Sequence, residues 1–363
     1  MDKKKLQKSS MKKNLLIIDV NPFGDLTDTV KWVEYLKVDW NVTVLCFAGK
    51  DGSKANADGY RLIQLRNFRK RQIKGVYFIL YSLFYLLFFK GKVVVEFFPL
   101  CEIYKKIFSK KKMLLDVRTL SVSSDESIRS AYNARIKKAC LCFDKVTAIS
   151  EGVVRQIGLK GIEILPLGSD VISSTEKVFT DSIRLLYVGT FTNRSIEQTI
   201  EGVIAFHKEH SEIPIKYNIV GYGNDNEEIF FQQIIDENGA DEYIHIIGKV
   251  SHDALKTYFD KCNAGFSFVP ITDYYNDQPP TKTYEYCLSG MFCIGTATTA
   301  NKQLINANNG VLISDTAEGV RNGLKYYWDN RSSFNPRVIM KTLESCTWEK
   351  IVLEQFAPIL SAL

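Results

Sequence analysis

Short apolar runs recur along this chain, each followed by a turn and then by a stretch whose apolar positions repeat with helical spacing. Residues 14–20 form the first run. The turn Asn21-Pro22-Phe23-Gly24 follows, and residues 26–36 carry the helical pattern. Further runs at 42–47, 60–65, 93–97, 113–117 and 145–149 read as strands with helices between them, an alternation that predicts a doubly wound α/β sheet. The pattern starts afresh at 183–188 and continues at 217–220, 264–268, 292–296 and 309–313, with helices expected at about 195–207 and 281–288. At 363 residues the chain is long enough for two domains, each with its own core. We divide it into a basic tail at 1–12, a first domain at 13–168, a second at 169–345 and a closing apolar-rich stretch at 346–363, expected to be helical at least to Pro358.

One stretch stands apart in composition. Arg66, Arg69, Lys70, Arg71 and Lys74 precede fifteen uncharged, aromatic-rich residues, 75–89, which Lys90 and Lys92 close. A membrane-spanning helix needs about 20 apolar residues, so this one is too short to span. It suits either a core helix or a helix lying at a membrane interface between basic anchors. Tyr77, Tyr81 and Tyr85 are spaced to share one face. With the dense basic flanks, they favour partial burial with a membrane-facing end.

Composition narrows the picture. Hydrophobic residues make up 45% and charged residues 24%, as in a folded globular protein rather than a disordered or fibrous one. Charge is unevenly placed: residues 1–165 hold 31 Lys+Arg against 16 Asp+Glu, a balance of +15, and the remainder 16 against 25, or −9. A basic half suits an anionic membrane surface or a phosphate-bearing acceptor, and no motif supports nucleic acid. The eight cysteines show no metal or disulfide spacing, which points to a reducing, cytoplasmic compartment. The apolar run after the basic start, residues 15–18, is too short for the core of a signal peptide.

Candidate chemistry is densest in residues 277–290, Asp-Gln-Pro-Pro-Thr-Lys-Thr-Tyr-Glu-Tyr-Cys-Leu-Ser-Gly. The Pro-Pro pair disfavours helix before itself, so a short helix should start near Pro280 or Thr281, with Thr281 able to cap, and stop at Gly290. The free N–H groups and positive dipole end of such a start suit phosphate, and Lys282 adds a full charge. Glu285 shares a face with Lys282, where a carboxylate can accept hydrogen bonds from both hydroxyls of a ribose. Asp277 lies in the loop before the helix, placing one acid by a sugar and one by a ribose with a diphosphate between.

The spacing of Asp277 and Glu285, the run Pro-Pro-Thr-Lys-Thr-Tyr-Glu-Tyr and the following Ser-Gly-Met-Phe-Cys-Ile-Gly-Thr resemble the donor-site segment of retaining GT-B glycosyltransferases of glycosyltransferase family 4. That family has Glu at both acid positions, so Asp277 is one methylene shorter. The resemblance implies the GT-B fold, two Rossmann-like domains facing across a cleft, with a final helix crossing back to the first domain and anchored by Trp348. It implies transfer of a hexosyl or deoxyhexosyl group from a UDP- or GDP-sugar to a lipid-linked or polysaccharide acceptor, with retention of configuration and no metal or other cofactor. The protein's own cations, Arg194 and Lys282, take the metal's role, in keeping with the absence of any Asp-x-Asp sequence.

Other positions fit the same reading. Gly24 in the first turn would let a ligand approach the backbone. Arg194, where a strand passes into a helix, is placed to meet a diphosphate. Gly221-Tyr-Gly223 lacks the third glycine of a dinucleotide fingerprint, because Asn226 stands there, which argues against NAD. By resemblance it is the loop behind the nucleotide, and the backbone at Lys249 and Val250 holds the base edge. The histidine this family often carries near the sugar is absent, since His207, His210, His245 and His252 all fall in the second half. Asp116 and Arg118, after a strand, are candidates to reach the cleft instead. Two rival classes remain, a nucleotide-sugar epimerase and a non-catalytic GT-B partner subunit at a membrane.

Overall fold

The computed structural model describes residues 12–49, 52–68 and 70–363, so all but Lys12 of the expected basic tail lies outside the described residues. The first domain runs β1 (Lys13–Pro22), α1 (Thr27–Leu36), β2 (Trp40–Phe47), β3 (Arg61–Leu65), α2 (Arg71–Phe88), β4 (Lys92–Glu96), α3 (Glu102–Ile107), β5 (Met113–Val117), α4 (Glu126–Cys140), β6 (Lys145–Ala148), α5 (Glu151–Ile157) and β7 (Ile162–Ile164). Its seven strands lie parallel in the order β3-β2-β1-β4-β5-β6-β7. Leu15, Leu16, Ile17 and Ile18 of β1 are fully buried, as a central strand covered on both faces requires. The short edge strand β7 has no counterpart in the sequence reading, because three residues carry too little pattern.

The second domain repeats the plan: β8 (Ile183–Thr190), α6 (Glu197–Glu209), β9 (Ile215–Tyr222), α7 (Asp225–Glu237), β10 (Ile244–Gly248), α8 (His252–Lys261), β11 (Ala264–Ser267), α9 (Thr281–Leu288), β12 (Phe292–Thr296), α10 (Thr299–Leu304), β13 (Gly310–Ile313) and α11 (Ala317–Asn330). Its six parallel strands run β10-β9-β8-β11-β12-β13. In each sheet the winding reverses beside the first strand, between β1 and β4 and between β8 and β11. Crevices at the carboxyl ends of the strands open at those points, and ligands of such sheets bind there.

The chain closes with helical segments Trp348–Lys350, Ile351–Phe356 and Ala357–Ser361, which return to the first sheet. Trp348, Ile351, Val352, Phe356 and Leu360 pack with Leu15, Ile17, Trp32 and Val44 in one cluster, the rings of Trp32 and Phe356 4.6 Å apart. Lys92 donates to the last carbonyls, Leu360 at 2.5 Å and Ser361 at 2.8 Å. The middle segment is π-helical, next to Pro358, which has no N–H to offer the preceding turn.

α2 has a direction that the spacing left open. Tyr77, Tyr81 and Tyr85 do share a face, but it is half-buried and packs toward the core, while Phe78, Ser82 and Leu86 are fully buried. The outer face is aliphatic and phenylalanine-rich: Ile73, Val76, Leu80, Phe84, Leu87 and Phe88 are each at least 53% exposed. Among the described residues no helix is long and apolar enough to cross a membrane.

Candidate active site

α9 is held rigidly from behind. Thr283 lies between Ser267 Oγ at 2.6 Å and Asn301 Oδ1 at 2.9 Å, and the Tyr286 hydroxyl accepts from the Val188 N–H at 3.0 Å. Gly265 makes room for the Tyr286 ring, since a Cβ there would lie 2.5 Å from it. Pro280 is the N-cap, and no side chain caps the first turn, including Thr281, which sits exposed at the rim. An uncapped, positively polarised helix start therefore opens toward the cleft.

Two cations converge beside it. Lys282 is buried, with Nζ 3.9 Å from the centre of the Tyr187 ring. Burial, reinforced by Arg194 nearby, pushes its ammonium down to about 7, with Glu285 opposing. Arg194 stacks over Tyr275 at 4.2 Å, and its Nη1 is buried with no hydrogen-bond partner. A buried guanidinium nitrogen without an acceptor carries a desolvation cost that an anionic ligand would remove. Arg194 stands in a strained turn, between Asn193 at φ 58° and Ser195 at φ 52°. Half-buried Glu285 completes the group: burial pushes its carboxyl up to about 7, Lys282 pulls it back and Asp170 adds to the rise.

The glycines expected behind the nucleotide have a packing role. A Cβ on Gly221 would fall 1.8 Å from the Gly189 carbonyl, and one on Gly223 2.4 Å from Glu227 Oε2. That carboxylate accepts from Thr192 Oγ1 at 2.7 Å and from the Asn224 N–H at 2.9 Å. Both glycines thus let the β9–α7 turn support the loop that carries Arg194. Lys249 and Val250 stand at the end of β10, with Lys249 exposed and 5.0 Å over the Tyr222 ring.

Across from α9, a cleft of about 250 Å³ is walled by Asp25, Thr27 and Asp28 on one side and by Thr281 and Glu285 on the other, with Asp170 and Trp348 from the connecting segments. Asp116 and Arg118 do not reach this cleft. Asp116 is fully buried, accepting from Thr147 Oγ1 at 2.5 Å and from Arg118 Nε at 2.5 Å. Arg118 in turn pairs at 3.0 Å with Asp28, and Asp28 faces the cleft. Sequence reasoning missed Asp28, whose only signal was an acid in the first turn of a helix. Burial raises the Asp28 carboxyl, with Arg118 opposing. Gly24 adopts φ +103° with open space at its Cβ position, though the residues after it, not Gly24 itself, line the cleft.

Asp277 stands away from Glu285, against the first domain. Gln156 donates to its Oδ2 at 2.7 Å, Arg155 lies 3.3 Å from Oδ1, and Ser150 Oγ donates to its carbonyl at 2.8 Å. The structure therefore brings together Arg194, Lys282, Glu285 and Thr281, with Pro280 as the cap, and places Asp277 at the domain junction.

Two parallel doubly wound domains facing a cleft, with the closing helix returned to the first, are the GT-B fold of glycosyltransferases. No family model and no curated protein matches the sequence. Among solved structures, the sucrose-phosphate synthase of Thermosynechococcus elongatus superposes with a TM-score of 0.76 at 15% identity, covering 97% of this chain and 100% of that one. The lipopolysaccharide outer core galactosyltransferase WaaB follows at 0.72 and 14%, covering 96% and 100%. HepE of Anabaena, solved with UDP and glucose, gives 0.71 at 11%, covering 97% and 100%. At these identities the likeness is one of fold.

Proposed function

We propose that this chain is a glycosyltransferase that binds a nucleoside-diphosphate sugar at the start of α9 and transfers the sugar to an acceptor held by the first domain. The observation that carries this reading is a pair of cations, buried Lys282 on an aromatic face and half-buried Arg194 with a buried, unpartnered nitrogen, converging on an uncapped helix start. A diphosphate would satisfy all three. Glu285, one turn along, would accept the ribose hydroxyls, and the acidic cleft beyond it would repel phosphate while offering acceptors to a hydroxyl-rich sugar. As the glycosidic bond breaks, charge grows on the leaving diphosphate, and fixed cations aimed at it lower the barrier. Backbone at Lys249 and Val250 would take the base edge.

Within that reading the donor is a UDP- or GDP-hexose or deoxyhexose, and the acceptor a lipid-linked or polysaccharide glycan of the cell surface. Retention of configuration rests only on the resemblance to family 4 glycosyltransferases. UDP is the first nucleotide to try, since HepE was solved with it. The test is calorimetric titration with UDP, GDP and their sugars, with Glu285→Ala in parallel. One nucleotide should bind at micromolar Kd and lose at least tenfold in the variant. No binding by either nucleotide to the folded protein would leave the non-catalytic partner subunit as the better reading.

A lipid surface is the second partner we propose, because of the outer face of α2. Six large apolar side chains form one exposed stripe along a helix without a single acid, in the domain that carries the basic excess. An exposed apolar stripe on a helix flanked by basic residues can bury itself in an anionic interface. Co-flotation with vesicles containing phosphatidylglycerol should capture the protein, and Leu80→Glu with Phe84→Glu should abolish capture while nucleotide affinity stays unchanged. Equal flotation of the double variant would contradict the proposal.

A further inference from the structure

The loop leading into α9, residues 273–278, is gripped by side chains of the other domain. Gln156 and Arg155 take one carboxylate oxygen each of Asp277, and Ser150 takes its carbonyl. The approach is close enough to need glycine in α5: a Cβ on Gly152 would fall 2.4 Å from Asp277 Oδ1 and 2.5 Å from its Cβ. The next residue is held as well, the Thr119 hydroxyl donating to Gln278 Oε1 while Gln278 Nε2 reaches the Leu120 carbonyl at 3.5 Å. Arg129 stacks over Tyr274 at 5.4 Å.

We propose that Gly152, Arg155 and Gln156 form a receptor for Asp277 that sets the separation of the two domains and the placement of α9. Asp277 is two residues from a Pro-Pro pair, and two fixed φ angles transmit its position to the N-cap with little slack. The grip is chemically specific. A carboxylate is needed to accept from an amide and a guanidinium at once, and the aspartate arm fills the space over Gly152, so a longer acid would have to shift. Arg155 is 65% exposed and the Asp277 side chain 13%, which makes the contact reversible: water can replace the arginine, while the shielded carboxylate keeps its bond to Gln156. Arg155 and Gln156 are positioning residues, acting on a donor through Asp277 and α9. That consequence rests on the donor-site reading above, whereas the grip itself belongs to the free protein.

The experiment is small-angle X-ray scattering on the free chain, followed by titration with UDP. A compact chain of this length has a radius of gyration of about 21 Å. Arg155→Ala with Gln156→Ala, two exposed positions that leave the cores intact, should raise it by about 1–2 Å. Gln156→Glu, which sets a like charge against Asp277, should open the chain at least as far. Arg155→Lys should stay near the wild-type value. Gly152→Ala should open the domains without lowering the helicity of α5, where alanine is the better helix former. Where UDP binds the wild type, the opened variants should bind it several-fold more weakly. Unchanged radii in both the double variant and Gly152→Ala would overturn the proposal, whether or not any nucleotide binds.

Discussion

Replacing Lys282 by Met is expected to weaken nucleotide binding severely and to stabilise the free protein. A charge-assisted contact to phosphate contributes about 2–3 kcal/mol, so affinity for UDP or GDP should fall roughly hundredfold. The stability gain follows from linkage. Burial holds the Lys282 ammonium at about 7 in the folded chain, against an ordinary lysine value of 10.5, so the folded state binds this proton less well than the unfolded state. The cost to stability is absent above pH 10.5, grows as pH falls and is complete below about 7. Methionine has no proton to lose and fills similar space, so the variant should melt several degrees higher at pH 7 and nearly together with the wild type at pH 10. The same titration shapes binding. Only the ammonium form meets a diphosphate, so wild-type affinity should fall toward tenfold per pH unit above about 7, and the Met variant should lack that limb. A variant that keeps its affinity would place the diphosphate elsewhere.

Gly221→Ala should be the most damaging single-methyl change in the second domain. The added carbon would stand 1.8 Å from a backbone oxygen of Gly189 and 2.8 Å from the Phe191 ring, neither of which is the end of a flexible side chain. Relief requires β8 and β9 to part where Gly189 and Gly221 pair, so the cost should reach about 3 kcal/mol, near the upper end for overpacking. For a domain of this size that is a fall of about 10 °C in melting temperature, with loss of nucleotide binding as the Arg194 loop moves. Gly75→Ala is the matched control: its Cβ position is open and it lies inside α2, so stability should rise slightly. Equal melting of the two variants would contradict the packing account.

Much of this was legible in the sequence, for local reasons. The start of α9 follows from Pro279-Pro280 and its end from Gly290, and three-residue spacing puts Lys282 and Glu285 on one face whatever surrounds them. Alternating strands and helices predicted both sheets, because strands buried on two faces read as apolar runs. What stayed hidden depends on distant partners. Asp277 meets Gln156 across 121 residues of chain, and no spacing rule connects them. Asp116 and Arg118 were only candidates for the cleft, and the register that sets Asp116 beside Thr147 buries it in an ion pair with Arg118 and leaves Asp28 to face the cleft. In α2 the period identified the tyrosine face but not its direction, because a helix this apolar all round gives no polar side to orient it.

The central claim is that a nucleoside diphosphate lies across the start of α9. A crystal structure of the chain with the tighter-binding of UDP and GDP tests it most directly. Phosphate oxygens should lie within about 3 Å of the first-turn N–H groups of α9, Lys282 Nζ and Arg194 Nη1, with the ribose hydroxyls on Glu285. A nucleotide bound at the first sheet, or one whose phosphates touch neither Lys282 nor Arg194, would contradict it.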